Sequence, residues 1–204
     1  MAIDTLTRLV KEIQKPGMSV CEVGVWVGDT TATYLPTIKS NNGLAYVIDH
    51  FSGNPEMNRD YPDHFHAYRP ENAENIYNQF LKNTEGYHDI LKILRGDTLS
   101  MASQIEDESL DLCFIDASHD YKSAKGDIDA YLPKVKKGGI FCGHDCDNIE
   151  MANTFTAAEF DQPVCRNGAH AGVIQAVFDT FGKNILMPFD PGESMTVWIV
   201  KKPL

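Results

Sequence analysis

Glu22, Gly24, Gly28 and Asp49 have the types and spacing to hold a small ligand. An apolar run, Ser19 to Val23, leads into the turn Glu22-Val23-Gly24-Val25-Trp26-Val27-Gly28. Asp29-Thr30-Thr31 can cap a helix there, whose first N–H groups suit a ligand carboxylate. A second apolar run, Leu44 to Ile48, ends in Asp49. Gly24 and Gly28 lack a Cβ, so a ligand can approach the backbone and positive φ costs little. Asp49 can accept from both hydroxyls of a diol, as in a ribose. This strand–turn–helix–strand unit suits a nucleoside-like ligand. Its spacing, E-x-G-x-x-x-G, is not the dinucleotide fingerprint, and an ordinary βαβ unit with a tight turn would use the same glycines.

Three further runs end in chemistry-bearing residues: Arg95-Gly96-Asp97, Phe114-Ile115-Asp116 and Cys142-Gly143-His144-Asp145. A carboxylate at a strand end can simply cap the next helix, which explains any one of these ends better than all of them together. Asp116, His144 and Asp145 can form a one-sided ligand set. Two carboxylates favour a hard cation with open positions, such as Mg2+, and His144 would also tolerate Mn2+ or Fe2+.

The elements that must position these residues follow from periodicity. Helices are expected over 3–13, 30–39, 72–83, 98–105, 121–132 and 173–181, and strands over 19–23, 44–48, 90–94, 110–115, 140–143, 185–189 and 195–201. Strand and helix alternate, and the last two strands are joined by Asp190-Pro191-Gly192-Glu193-Ser194, a turn sequence. The expected fold is a doubly wound α/β domain with a mostly parallel seven-stranded sheet and a C-terminal antiparallel hairpin. Two segments, 50–70 and 146–170, leave the pattern at the ligand end of the sheet and read as lid or acceptor loops. The first carries His50, His64, His66 and Arg69.

Bulk properties narrow the class. The chain has 204 residues, enough for one domain with a sizeable core. A net charge of −11 and the lack of a basic stripe argue against a nucleic-acid partner. Lys134, Lys136 and Lys137, the densest basic cluster, read as a solvated helix end. No apolar run is long enough for a bilayer, and Met1 to Lys15 reads as an amphipathic helix, not a signal peptide. Five cysteines in no disulfide or paired zinc pattern place the chain in a reducing compartment, the cytoplasm.

The chain resembles the class I S-adenosylmethionine-dependent methyltransferases, and within them the methyltransferase 24-like branch that includes sugar and macrolide O-methyltransferases. Four segments carry the resemblance: Cys21-Glu22-Val23-Gly24 to Gly28; Val47-Ile48-Asp49-His50-Phe51-Ser52-Gly53; Phe114-Ile115-Asp116-Ala117-Ser118-His119-Asp120-Tyr121 through Gly143-His144-Asp145; and Gly172-Val173 to Phe178. The third is the most specific. The resemblance implies one methyltransferase domain over 1–204, which binds S-adenosylmethionine and methylates a hydroxyl of a small molecule or sugar with divalent-metal assistance. Glu22, Gly24 and Gly28 would line the methionine end, Asp49 the ribose and Asp97 the adenine. Asp116 would serve both cofactor and metal, beside His144 and Asp145. Asp116 and His119 would be catalytic, His119 as general base, since imidazole titrates near neutrality. Relatives usually carry an acid where His144 stands and often where Ser118 stands. A homo-oligomer is compatible with this reading.

Two other readings stay open. A cofactor-binding or scaffold module of the same fold would bind the donor without transfer, as the His144 and Ser118 departures allow. A nicotinamide-dependent oxidoreductase is opposed by the glycine spacing.

Overall fold

Among the described residues, six strands form one sheet in the order β3-β2-β1-β4-β5-β6. The structure is a computed structural model and describes residues 2–53, 69–162, 164, 165, 168–187 and 197–204. The elements run α1 (Ala2–Glu12), β1 (Ser19–Val23), α2 (Asp29–Ser40), β2 (Leu44–Asp49), α3 (Ala73–Asn83), β3 (Leu91–Arg95), α4 (Thr98–Ala102), β4 (Leu110–Ile115), α5 (Tyr121–Tyr131), β5 (Val135–Gly143), α6 (Ala157–Phe160), α7 (Ala171–Phe181) and β6 (Trp198–Lys201). Strands β1 to β5 pair in parallel, and β6 runs antiparallel to β5.

Both faces of the sheet are covered, so alternate strand residues enter different cores. Cys21, Val23, Cys113 and Ile115 pack with Ile128, Tyr131, Ile174 and Trp198. Val20, Leu112 and Phe114 face the other way, against Leu6, Val10, Leu35 and Phe80. All of β4 is buried, as its apolar run requires. Its one acid, Asp111, accepts from the Ser19 backbone N–H at 2.8 Å and pairs with Lys15 at 2.7 Å and Lys136 at 2.9 Å.

That pairing corrects the reading of the basic cluster. Lys136 and Lys137 lie in β5, which starts at Val135 rather than Ile140, and Lys134 pairs with Asp107. Positive φ at Gly138 and a register shift between Leu110 and Leu112 let β5 run on through the diglycine. The expected seventh strand is present among the described residues only as one antiparallel bridge, Leu186 to Ile199. The pairing of the hairpin arms is therefore seen, while the turn over 190–194 lies outside the described residues. Helix α4 stops at Ala102, short of the expected 105. All five cysteines are free thiols, four of them buried. Among the described residues no helix is long and apolar enough to cross a membrane.

The chain leaves β1 toward β2 and β3, then returns to the opposite side of β1 as β4. This reversal opens a crevice beyond the carboxyl ends of β1 and β4, where ligands bind in open α/β sheets. Gly24 lies there, against Asp116 and Ala117.

Candidate active site

The turn after β1 is held by Asp49, which reaches across from the end of β2. Asp49 Oδ2 accepts from the N–H of Val25 at 2.9 Å and of Trp26 at 2.7 Å, and its Oδ1 accepts from Phe51 N–H at 2.6 Å. A carboxylate has about four acceptor positions, so these bonds leave about one for a ribose hydroxyl. Glu22 sits beneath the turn, 1% exposed. Its Oε2 accepts from Thr31 Oγ1 at 2.6 Å and from the Tyr34 hydroxyl at 2.8 Å. Burial pushes the Glu22 carboxyl up to about 8, against the lowering effect of those two bonds. In this structure it ties β1 to α2.

The glycines answer to the protein's own packing. Gly24 has φ of 83°, and a Cβ there would stand 2.0 Å from the Asp116 carbonyl oxygen. Gly28 has φ of 80°, and its Cβ would stand 2.7 Å from the Phe80 ring. The spacing suits ligand approach or a tight turn; here the same freedom also lets β1 close on β4 and α2 close on α3. Thr31 and Asp29 do not cap α2: Thr31 bonds Glu22, and Asp29 accepts from Asn83 at 3.0 Å. Gly28 is the N-cap and offers no side-chain cap bond. The first N–H groups of α2 thus have no side-chain cap, which fits an anionic ligand group.

Asp97 ends β3 on the exposed rim and caps α4, accepting from the Ser100 N–H and hydroxyl, each at 3.0 Å. Beside it, Leu99 is 47% exposed, one of three large hydrophobics so placed among the described residues. Periodicity does not flag Leu99, because α4 is too short to show an apolar face.

Asp116, His119, His144 and Asp145 converge. His144 Nδ1 lies 2.9 Å from Asp145 Oδ1 and 3.8 Å from Asp116 Oδ1. His119 Nε2 lies 2.9 Å from Asp145 Oδ2. Asp120, not His119, caps α5, accepting from Ser123 N–H at 3.0 Å. Asp145 itself has φ of 60°, an uncommon conformation for a non-glycine residue. Periodicity misses two partners: His170 Nδ1 is 3.6 Å from Asp145 Oδ1 and 2.9 Å from Asp147 Oδ2. The His119 and His170 rings are 4.8 Å apart. What joins them is Gly172, whose Cβ would stand 2.3 Å from the His119 carbonyl oxygen, so α7 seats directly on the His119 turn.

The cluster's charges are strongly coupled. Burial raises the Asp116 carboxyl to about 6, with Asp145 adding to the rise and His144 opposing it. Burial disfavours the charged form of His144, but Asp145 and Asp116 outweigh it and lift the imidazole to about 9. Burial also works against ionised Asp145, yet its bonds to His119 and His144 hold it well below the ordinary carboxylate range. Asp116, His144 and Asp145 each offer a donor atom, all within 4.8 Å of one another, and so do His119, Asp145 and His170. Two carboxylates and an imidazole on one side fit a divalent cation. Cys142 and Cys146 are buried, and the Cys142 thiol lies 3.5 Å from the Cys113 carbonyl oxygen. A hollow of about 340 Å3 lies across the β1 turn, lined by Trp26, Val27, Arg69, Asn72, Asn75 and Gln79. His64 and His66 lie outside the described residues.

Comparison with known proteins agrees with this fold. Solved structures with the same fold include cofactor-bound Rv0187 from MTB, at 14% identity and a TM-score of 0.65 over 97% of this chain and 78% of that one. The calicheamicin methyltransferase CalS11 follows at 18% identity and 0.58, over 97% and 76%. An O-methyltransferase from Bacillus cereus in complex with SAH matches at 14% and 0.60, over 98% and 81%. The fold is thus that of the class I S-adenosylmethionine-dependent methyltransferases. Residues 21–146, more than half of the sequence, match the family described as a methyltransferase domain, and the chain belongs to that family. A curated relative, the uncharacterized protein y4gI of Sinorhizobium fredii, is 28% identical over 75 residues; the match spans 37% of this chain and 8% of that protein.

Proposed function

We propose that this chain is an S-adenosylmethionine-dependent O-methyltransferase acting on a hydroxyl of a small molecule or sugar, with a divalent cation at Asp116, His144 and Asp145. The convergence of Asp116, His119, His144 and Asp145 beside the β1–β4 crevice carries this reading. Structural relatives named for sugar-type and other O-methylations, such as CalS11, a TDP-rhamnose O-methyltransferase, support the acceptor class by analogy.

The cofactor would supply an electrophilic methyl group, whose carbon a hydroxyl oxygen would take in line as the S–CH3 bond breaks and S-adenosylhomocysteine leaves. A cation at the three donors would lower the hydroxyl's pKa and fix its oxygen. The chain's own residues do the rest. The β1 turn, Asp49 and Asp97 fix the donor's place, and near-attack placement is worth several orders of magnitude in rate. Asp145 accepts from His119 Nε2–H at 2.9 Å and so orients the ring, and the acceptor's hydroxyl proton would pass to the other ring nitrogen, Nδ1. The hollow at the β1 turn, lined by Trp26, Val27 and Arg69, has the size of a sugar-scale ligand.

Turnover of S-adenosylmethionine to its demethylated product tests the proposal, over a panel of sugars and phenols with and without EDTA. The reading expects transfer to a hydroxyl that EDTA suppresses and Mg2+ restores. Transfer that EDTA leaves untouched removes the cation role, and transfer only to nitrogen or carbon removes the O-methyl assignment.

A further inference from the structure

Asp145 serves two ligand sets at once. One is oxygen-rich, Asp116, His144 and Asp145; the other is nitrogen-rich, His119, Asp145 and His170. Three of the chain's seven histidines stand within 3.6 Å of this one carboxylate. Neither the family resemblance nor the hydroxyl-activating role requires His170.

The geometry points to a second cation site, built by His119, Asp145 and His170, that takes a transition-metal ion of the Zn2+ class and holds the enzyme inactive. It rests on the proposed function, because its effect is to withdraw His119 and Asp145 from the reaction. Imidazole nitrogen suits Zn2+, whereas Mg2+ prefers oxygen, so the two sets sort cations by chemistry. The separations suit one ion. One donor atom from each residue lies within 4.8 Å of the other two, and the 2.9 Å from His119 Nε2 and 3.6 Å from His170 Nδ1, each to one oxygen of Asp145, are close to the roughly 3 Å between donors bound at about 2.0–2.1 Å.

An ion there displaces the protons on the His119–Asp145 and His170–Asp147 contacts, and each passes to its ring's other nitrogen, or to solvent from a ring that was protonated at both. Asp147 also accepts from the His170 backbone N–H at 2.9 Å, so His170 is held at the start of α7 with its ring toward His119. A bound ion takes the lone pair of His119 Nε2 and leaves the ring's proton on Nδ1, so His119 can no longer receive the acceptor's proton. It also draws on Asp145, so the two sites compete for one carboxylate.

Zn2+ alone is the probe, titrated into the full chain against a chromophoric chelator near neutral pH. The wild type is expected to bind it at micromolar concentration or tighter. His170→Ala should weaken binding at least tenfold, and His144→Ala should stay within threefold. Binding of S-adenosylhomocysteine by each variant checks folding, and its loss in the wild type would count against the proposed function alone. Imidazole 15N resonances give a reading that needs no variant: Zn2+ should shift His119 and His170 and leave His50 and His88 unmoved. Absent Zn2+ binding at millimolar concentration overturns the site, as does unmoved His170, or a loss in His144→Ala equal to that in His170→Ala.

Discussion

The His119 imidazole and the Asp145 carboxylate meet at 2.9 Å, although one follows β4 and the other follows β5. Parallel pairing of Ile115 with Gly143 brings the two strand ends level, so the loops beyond them share one space. His144 reaches the same carboxylate from its other oxygen, at 2.9 Å. Asp145 is thus the common partner of His119, the proposed proton acceptor, and of His144 in the proposed cation site.

Removing that partner should separate chemistry from cofactor binding. Asp145→Ala is expected to lower turnover by about a hundredfold or more, the range for lost base orientation and lost ligation. Affinity for S-adenosylhomocysteine should stay within about threefold, because the bonds that hold the β1 turn run through Asp49 and not through Asp145. Steady-state rates and calorimetry on the same preparation check both halves.

Stability should depend on pH through His144. Its folded pKa, about 9, lies above its ordinary 6.5, so its stabilisation is complete below about 6.5 and is lost as pH rises through 9. Asp145 has the opposite sign: its contribution is present above 3.8 and is lost as pH falls through its depressed folded value. Denaturant unfolding of wild type and His144→Gln should differ most near pH 6 and converge above pH 9. Between those limits the difference should shrink by roughly 1.4 kcal/mol for each unit of pH.

Glu22 gives a third pH test. Burial lifts its folded pKa from 4.5 to about 8, so the wild type loses stability as pH rises between those values. Glu22→Gln keeps an acceptor for Thr31 and Tyr34 and removes the titration. Its stability relative to wild type should improve steadily from pH 5 to pH 8 and then level off. A flat difference across that range would show that Glu22 ionises freely in the fold.

Glycine substitutions separate packing from backbone freedom. Gly24→Ala should cost about 3 kcal/mol or more, because its Cβ would stand 2.0 Å from the Asp116 carbonyl oxygen and φ is positive. Gly86 also has positive φ, at 86°, but nothing lies within 4 Å of its Cβ. Gly86→Ala should therefore cost about 1 kcal/mol, for strain alone. Equal costs would contradict the packing of β1 against β4.

Much of this was legible in the chain. Strands covered on both faces announce themselves as apolar runs, and the residue closing each run must lie at the carboxyl rim, which is how Asp49, Asp97, Asp116 and His144-Asp145 could be picked out. His170 and Asp147 were not legible, because their meeting depends on how α7 seats on the His119 turn through Gly172, a contact between distant segments. Partner choice hid the rest. Thr31 could cap α2 but finds buried Glu22, and Lys136 could be solvated but finds buried Asp111. Composition does not decide between such partners; the packed neighbourhood does.

Calorimetric titration of S-adenosylhomocysteine into the wild-type chain tests the central claim most directly, that the crevice beyond β1 and β4 is a methyl-donor site. Saturable binding at one molecule per chain is expected, weakened about tenfold or more in Asp49→Ala. No heat at millimolar ligand, or binding that Asp49→Ala leaves unchanged, would contradict it.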